Sequence, residues 1–223
     1  MRRCLSRSEE GRLRLAMRRQ LGLWSARRDY AVFRVLLTTG MRVGEFTTLM
    51  PFELRRALEL KFLYLPAERR KGQYEELLVH VKGEAQEAFE DLLKSASEFF
   101  GVRPDELPDD APLVVSRNGG QMSVRGIELR FKYWAEVAGV DPAFSPHWLR
   151  HSFAVSFVEA STAVNPLVGL KRVLGHASAR SGESYLTMTR DESALGEVVE
   201  RAFPSRKRMT PARARSAFNS RGE

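Results

Sequence analysis

One nine-residue stretch constrains this chain more than any other: Ser145-Pro146-His147-Trp148-Leu149-Arg150-His151-Ser152-Phe153. Ser145 suits a helix N-cap and Pro146 the first helical position, where a missing N–H costs nothing. On such a helix His147 and Arg150 are three residues apart and share one face, with His151 turned to another side. Trp148, Leu149 and Phe153 supply the apolar surface that anchors the helix. The fold must therefore bury one side of this element while a guanidinium and an imidazole stand together on another. A guanidinium fork matches the oxygens of a phosphate bidentately, which makes phosphate the natural ligand. Taken alone, the stretch also reads as a packed helix with a satisfied histidine, so the anion clamp needs partners elsewhere in the chain.

The rest of the sequence bounds where those partners lie. Its 223 residues make one domain, or one with a small appendage, and 43% hydrophobic content supports a sizeable core. No apolar run approaches membrane-spanning length and no secretory leader opens the chain. Cys4 is the single cysteine, which excludes an internal disulfide or a cysteine-based zinc cluster and fits a reducing cytoplasm. No cofactor or metal is called for. The formal charge of +8 points to a polyanion, most simply nucleic acid.

In chain order, Ser6-Arg7-Ser8-Glu9 reads as a capping box opening a helix through about Leu21. Ser25 is the expected cap of a second helix, with Val32, Phe33, Leu36 and Leu37 at helical spacing, stopped by Gly40. Arg42 follows that glycine, and Glu45 lies three residues on, placed to pair with it. The period then changes. Leu60 to Pro66 and Glu75 to Val81 read as two strands of a hairpin whose tip, Glu68-Arg69-Arg70-Lys71-Gly72-Gln73, is basic. A helix is expected over Glu84–Phe100, with Ala85, Phe89, Leu92, Ala96 and Phe99 or Phe100 inward. An acidic, proline-containing loop follows, then a brief strand at Leu113–Val115. Ser123 caps an amphipathic helix carrying Val124, Ile127, Phe131, Trp134 and Ala138. After the opening stretch, Pro166 starts a helix ending at Leu174-Gly175-His176. Asp191 caps a last helix with Leu195, Val198, Val199, Ala202 and Phe203 inward. Residues 204–223 form a basic, flexible tail. The fold class expected is α+β, mainly helical, with a small antiparallel β-hairpin.

The separate pieces form a recognisable order. Thr39-Gly40-Met41-Arg42-Val43-Gly44-Glu45 precedes a hairpin with Lys71-Gly72, then His147-Trp148-Leu149-Arg150-His151, then Leu174-Gly175-His176, then Tyr185 nine residues on. This resembles the catalytic domain of the tyrosine recombinases, the phage-integrase family, across residues 1–203. The resemblance implies that Arg42, Lys71, His147, Arg150, His176 and Tyr185 are catalytic, with Tyr185 the nucleophile. It implies a site-specific recombinase that cuts and rejoins DNA through a 3′-phosphotyrosine link without metal or ATP. The same residues leave room for a catalytically silent DNA-binding protein of this fold, or for a type IB topoisomerase.

Double-stranded DNA is the expected partner, with Arg69, Arg70, Lys171 and Arg172 on its phosphates. The family's N-terminal core-binding domain is expected to be absent from this sequence, either because the protein is a minimal member or because the sequence starts after it. An accessory protein or further recombinase subunits are therefore expected to complete the grip. By the same resemblance, the apolar face of Leu195, Val198, Val199 and Phe203 is expected to dock on a neighbouring subunit. The longer connection between Arg150 and Leu174 departs from the family pattern without touching a catalytic position. A cytoplasmic, nucleoid-associated location follows.

Overall fold

The computed structural model describes residues 4–70, 76–162, 166–174 and 188–204. Capping chemistry sets most helix boundaries. Ser6 opens α1 (Arg7–Arg19): its Oγ accepts from the Glu9 N–H at 3.2 Å, and Glu9 Oε2 accepts from the Ser6 N–H at 2.9 Å. α2 (Trp24–Thr39) starts one residue before the expected serine, and its N-cap, Leu23, makes no side-chain bond. Trp24 anchors that end instead, its Nε1 donating to the Ser95 carbonyl at 2.7 Å. Gly40, at φ 63°, closes the helix in the left-handed region that glycine enters freely. The short α3 (Val43–Phe46) follows. α4 (Pro51–Leu60) is an addition to the sequence reading, which places no element between Leu49 and Leu60. Pro51 sits at its start, and Leu54 and Ala57 are its buried side.

β1 (Phe62–Leu65) pairs antiparallel with β2 (Leu77–His80), Phe62 opposite His80 and Leu65 opposite Leu77. Leu63, Leu65, Leu77 and Val79 turn inward, while Phe62 and Tyr64 face out, the alternation that a half-buried hairpin requires. A 3₁₀ turn, Ala67–Arg69, follows β1. α5 (Glu84–Phe100) has the expected limits and buries Ala85, Phe89, Leu92 and Ala96, but Phe99 and Phe100 remain over a third exposed, with Phe99 against Trp24. The expected strand at Leu113–Val115 is reduced to a single bridge, Val115 to Gln121. Ser123 caps α6 (Val124–Ala138), accepting from the Gly126 N–H at 3.1 Å. α7 (Pro146–Ala160) begins with Pro146 as expected, although Ser145 makes no side-chain cap bond. α8 (Pro166–Leu174) and α9 (Met188–Ala202) complete the described elements, α9 starting three residues ahead of the expected Asp191.

α2 is the core helix, packed against α5 on one side and α7 on another. Around it Phe33, Phe46, Phe89, Phe131, Trp134, Phe144, Phe153 and Phe157 are fully buried. Each such side chain contributes roughly 1.5–3 kcal/mol of burial free energy. Two ion clusters brace the same helix. Glu84 takes Arg14 and Arg34, and Asp29 takes Arg28, Arg130 and the Trp134 indole N–H.

The last helix corrects one expectation. Leu195, Val198, Val199 and Phe203 pack on the core of their own chain. The Phe203 ring stacks on Phe153, centroids 5.5 Å apart, and the Phe203 carbonyl accepts from the Glu84 N–H at 2.8 Å. Gly83, at φ 57°, permits this approach, since a Cβ there would lie 2.1 Å from the Phe203 oxygen. The apolar face is thus covered in cis. Among the described residues no helix is long and apolar enough to cross a membrane.

Candidate active site

Arg42 is delivered by the end of α2. Gly40 turns the chain, and Arg42 becomes the N-cap of α3. Glu45, three residues along, receives it twice: the Arg42 N–H donates to Oε2 at 3.0 Å and Nη1 donates to Oε1 at 2.9 Å. This is the pairing expected from the spacing. Glu45 is only 3% exposed, while the Arg42 side chain keeps 32% of its surface. The carboxylate is therefore an anchor inside the protein, and the guanidinium reaches toward solvent.

Arg150 arrives from the first turns of α7. Nη1 donates to the Gly40 carbonyl at 2.5 Å and Nη2 to the Leu174 carbonyl at 3.0 Å. One side chain thereby joins the ends of α2 and α8 to α7. Burial pushes the guanidinium down to about 10, with the charges of Arg42 and Arg70 acting in the same direction and Glu45 opposing them. It stays protonated at neutral pH, and an anion beside it would favour the charged form.

An open cleft of about 490 Å³ passes over these groups, lined by Arg42, Glu45, Arg69, Glu128, His147 and Arg150 among others. His147 is exposed at its rim, with its ring edge-on to His151 at 4.5 Å. Arg42, His147 and Arg150, expected together from the sequence, line the same space. Arg69 lies at its border, paired with Glu53 at 2.6 Å and one-third exposed.

Arg70 is a correction. The sequence places it on a solvated hairpin tip facing DNA, but its side chain is fully buried and its Nε points to Glu45 Oε1 at 3.4 Å. The 3₁₀ turn is the reason: the Arg70 N–H closes on the Ala67 carbonyl, folding the residue inward. No spacing rule links residue 70 to residue 45, so the sequence carries no signal for this contact. Glu128, on α6, was also missed and has none either. Arg172 is half-buried on α8; Lys171 lies on the same helix, but its side chain is outside the described residues. Lys71, His176 and Tyr185 lie outside them as well.

The phage integrase family matches residues 15–192. Tyrosine recombinase XerC of Haemophilus ducreyi is 30% identical over 185 residues, covering 81% of this chain and 54% of that protein. XerC of Shewanella amazonensis is 31% identical over 180 residues, covering 80% and 54%. The chain spans about half the length of the curated relatives it matches. The crystal structure of XerA recombinase superposes with a TM-score of 0.59 at 22% identity, over 100% of this chain and 65% of that one. XerH site-specific recombinase bound to difH substrate gives 0.56 at 16%, over 99% and 54%. The solved structures share the fold, mainly helical with one small antiparallel hairpin. With the family match running from α1 into α9, the chain belongs to the phage integrase family.

Proposed function

We propose that this chain cuts and rejoins DNA as a tyrosine site-specific recombinase. The observation that carries the reading is the pairing of Arg150 with Arg42 in one open cleft, the first buried and locked by two carbonyls, the second anchored on Glu45. A phosphodiester carries its charge on two non-bridging oxygens, and more accumulates there as phosphorus is attacked. Two fixed guanidiniums meet that charge without reorganising, and losing one such donor costs roughly 10²–10³ in rate.

By family resemblance, the Tyr185 phenolic oxygen forms the bond to phosphorus and the bond to O5′ breaks. His147 takes the phenol proton, Lys71 supplies a proton to the departing O5′, and His176 donates to the phosphate. The phosphoester is kept as 3′-phosphotyrosine, so a 5′-hydroxyl reverses the step without ATP. XerH was solved with difH substrate and the Tn1549 transposon integrase with circular intermediate DNA. Duplex DNA is the substrate we assign here. Arg69, Lys171 and Arg172 are the phosphate contacts we assign around the site. Further copies, or an accessory protein, complete the grip, and the nucleoid of the cytoplasm is the working location.

A nicked duplex that releases its short 5′ fragment traps the covalent step. The wild-type chain should run as a protein–DNA adduct on a denaturing gel, and Tyr185→Phe should bind DNA without forming it. An adduct in Tyr185→Phe would place the nucleophile elsewhere. Site-independent relaxation of supercoils would indicate a topoisomerase, and binding without any adduct a silent DNA-binding protein.

A further inference from the structure

We infer that Arg70 is a positioning residue of this site, holding Arg42 in place through Glu45. The inference rests on the recombinase reading. A guanidinium with no exposed surface is costly to bury unless an opposite charge receives it. Glu45 is the carboxylate that Arg70 Nε addresses, at 3.4 Å. It addresses the same oxygen, Oε1, that Arg42 Nη1 reaches at 2.9 Å, while Oε2 accepts the Arg42 backbone N–H. One buried carboxylate thus serves two arginines, and Arg150 lies close enough to feel all three charges.

Sharing changes what Arg42 offers a substrate. A carboxylate with Arg42 as its only cation would neutralise it and draw the fork back onto both oxygens. With Arg70 also on Oε1, Glu45 is compensated from behind, so Arg42 stays oriented while its charge remains available to a phosphate in the cleft. Arg70 cannot make that phosphate contact itself, because its side chain has no exposed surface. Its own backbone is fixed by the Ala67 carbonyl at 3.0 Å, so the support is rigid. It is also the residue directly before Lys71 in the chain.

The test uses the full chain and the nicked duplex, measuring the single-turnover rate of adduct formation at saturating DNA, and separately the DNA affinity over a range of salt. Arg70→Met should slow adduct formation by at least ~10-fold, as small misplacements of a catalytic group do. Affinity and salt slope should stay at wild-type values. Arg70→Lys, which returns the charge, should recover much of the rate. Arg70→Met combined with Glu45→Gln should be no slower than Glu45→Gln alone, since both act on Arg42 by one route. Should Arg70→Met melt too low to assay, Arg70→Gln, which keeps a polar side chain and loses the charge, makes the same comparison with Glu45→Gln. A wild-type rate in Arg70→Met overturns the inference. So do losses that multiply in the double variant, and so does a salt slope shallower by about 0.9, the mark of a lost phosphate contact. Absence of any adduct from the wild-type chain overturns the recombinase reading itself, and this role with it.

Discussion

Arg150 Nη1 donates to the carbonyl oxygen of Gly40 at 2.5 Å, so the cation at the head of α7 is fixed to the loop that delivers Arg42. The two arginines keep their relative position because one of them bonds the backbone that carries the other.

That loop allows only glycine at its pivot. Gly40 has φ 63°, and a Cβ there would lie 2.5 Å from Phe153 Cδ1 and 2.9 Å from Leu174 Cδ2. The left-handed conformation costs a side chain roughly 1–2 kcal/mol and overpacking about 1–3 more. Gly40→Ala is expected to lower stability by roughly 2–5 kcal/mol in urea unfolding. A loss under about 1 kcal/mol would mean the ring and the leucine give way freely.

The charge on Arg150 has its own signature. Its folded value is about 10, below the ordinary arginine range, so the folded state binds fewer protons between the two. This group's contribution to stability therefore rises with pH across that window, and at neutral pH the buried charge is a net cost. A bound anion favours the charged form and relieves the cost. Inorganic phosphate should raise the melting temperature near neutrality, and the increment should shrink as pH climbs toward about 10. Thermal melts with and without phosphate at stepped pH measure this, and an increment that grows with pH would contradict it.

Glu84 predicts the opposite limb. Burial alone would raise its carboxyl, but Arg14 and then Arg34 outweigh burial and hold it below the usual carboxylate range. The unfolded chain binds the proton more readily, so this stability is present above an unfolded value of about 4.3. It is lost as pH falls through the lower folded value. Glu84→Gln removes the carboxylate that Arg14 and Arg34 share, while Glu10, Glu87 and Asp91 still pair with them, and should cost roughly 1–3 kcal/mol at neutral pH. Urea melts from neutral to acid pH should also show a flatter acid limb in the variant.

Gly83→Ala tests how α9 is held. A Cβ at Gly83 would press on the Phe203 oxygen at 2.1 Å, at a φ of 57° that already disfavours it. The variant should melt earlier, and amides of residues 188–203 should exchange hydrogen faster than those of α2. Unchanged protection there would show that the Phe203–Phe153 stack suffices alone.

What the sequence made legible was local. The Gly40 cap, the Arg42–Glu45 pair and the shared face of His147 and Arg150 follow from spacings of three or fewer residues, and all three appear in the structure. The hairpin was legible from the alternation of its apolar residues, although His80 is buried beside Val79. Arg70 was not, since a charged run at a tip reads as solvated and only the 3₁₀ turn folds it inward. The apolar face of α9 was legible too, but a stripe of valine, leucine and phenylalanine does not say which surface covers it. Trp24 displaced the expected start at Ser25 because a tertiary bond to Ser95, distant in sequence, outweighs a local cap.

Phe153 touches both ends of this story. Its ring fills the space beside Gly40 and stacks on Phe203, the residue just past the last described helix. The consequence concerns time. During synthesis residue 40 emerges well before residue 203, so the wall behind the first arginine's loop stays incomplete until Phe203 has followed. A ribosome-bound or prematurely terminated product keeps Arg42 and Arg150 but lacks the ring that backs Phe153.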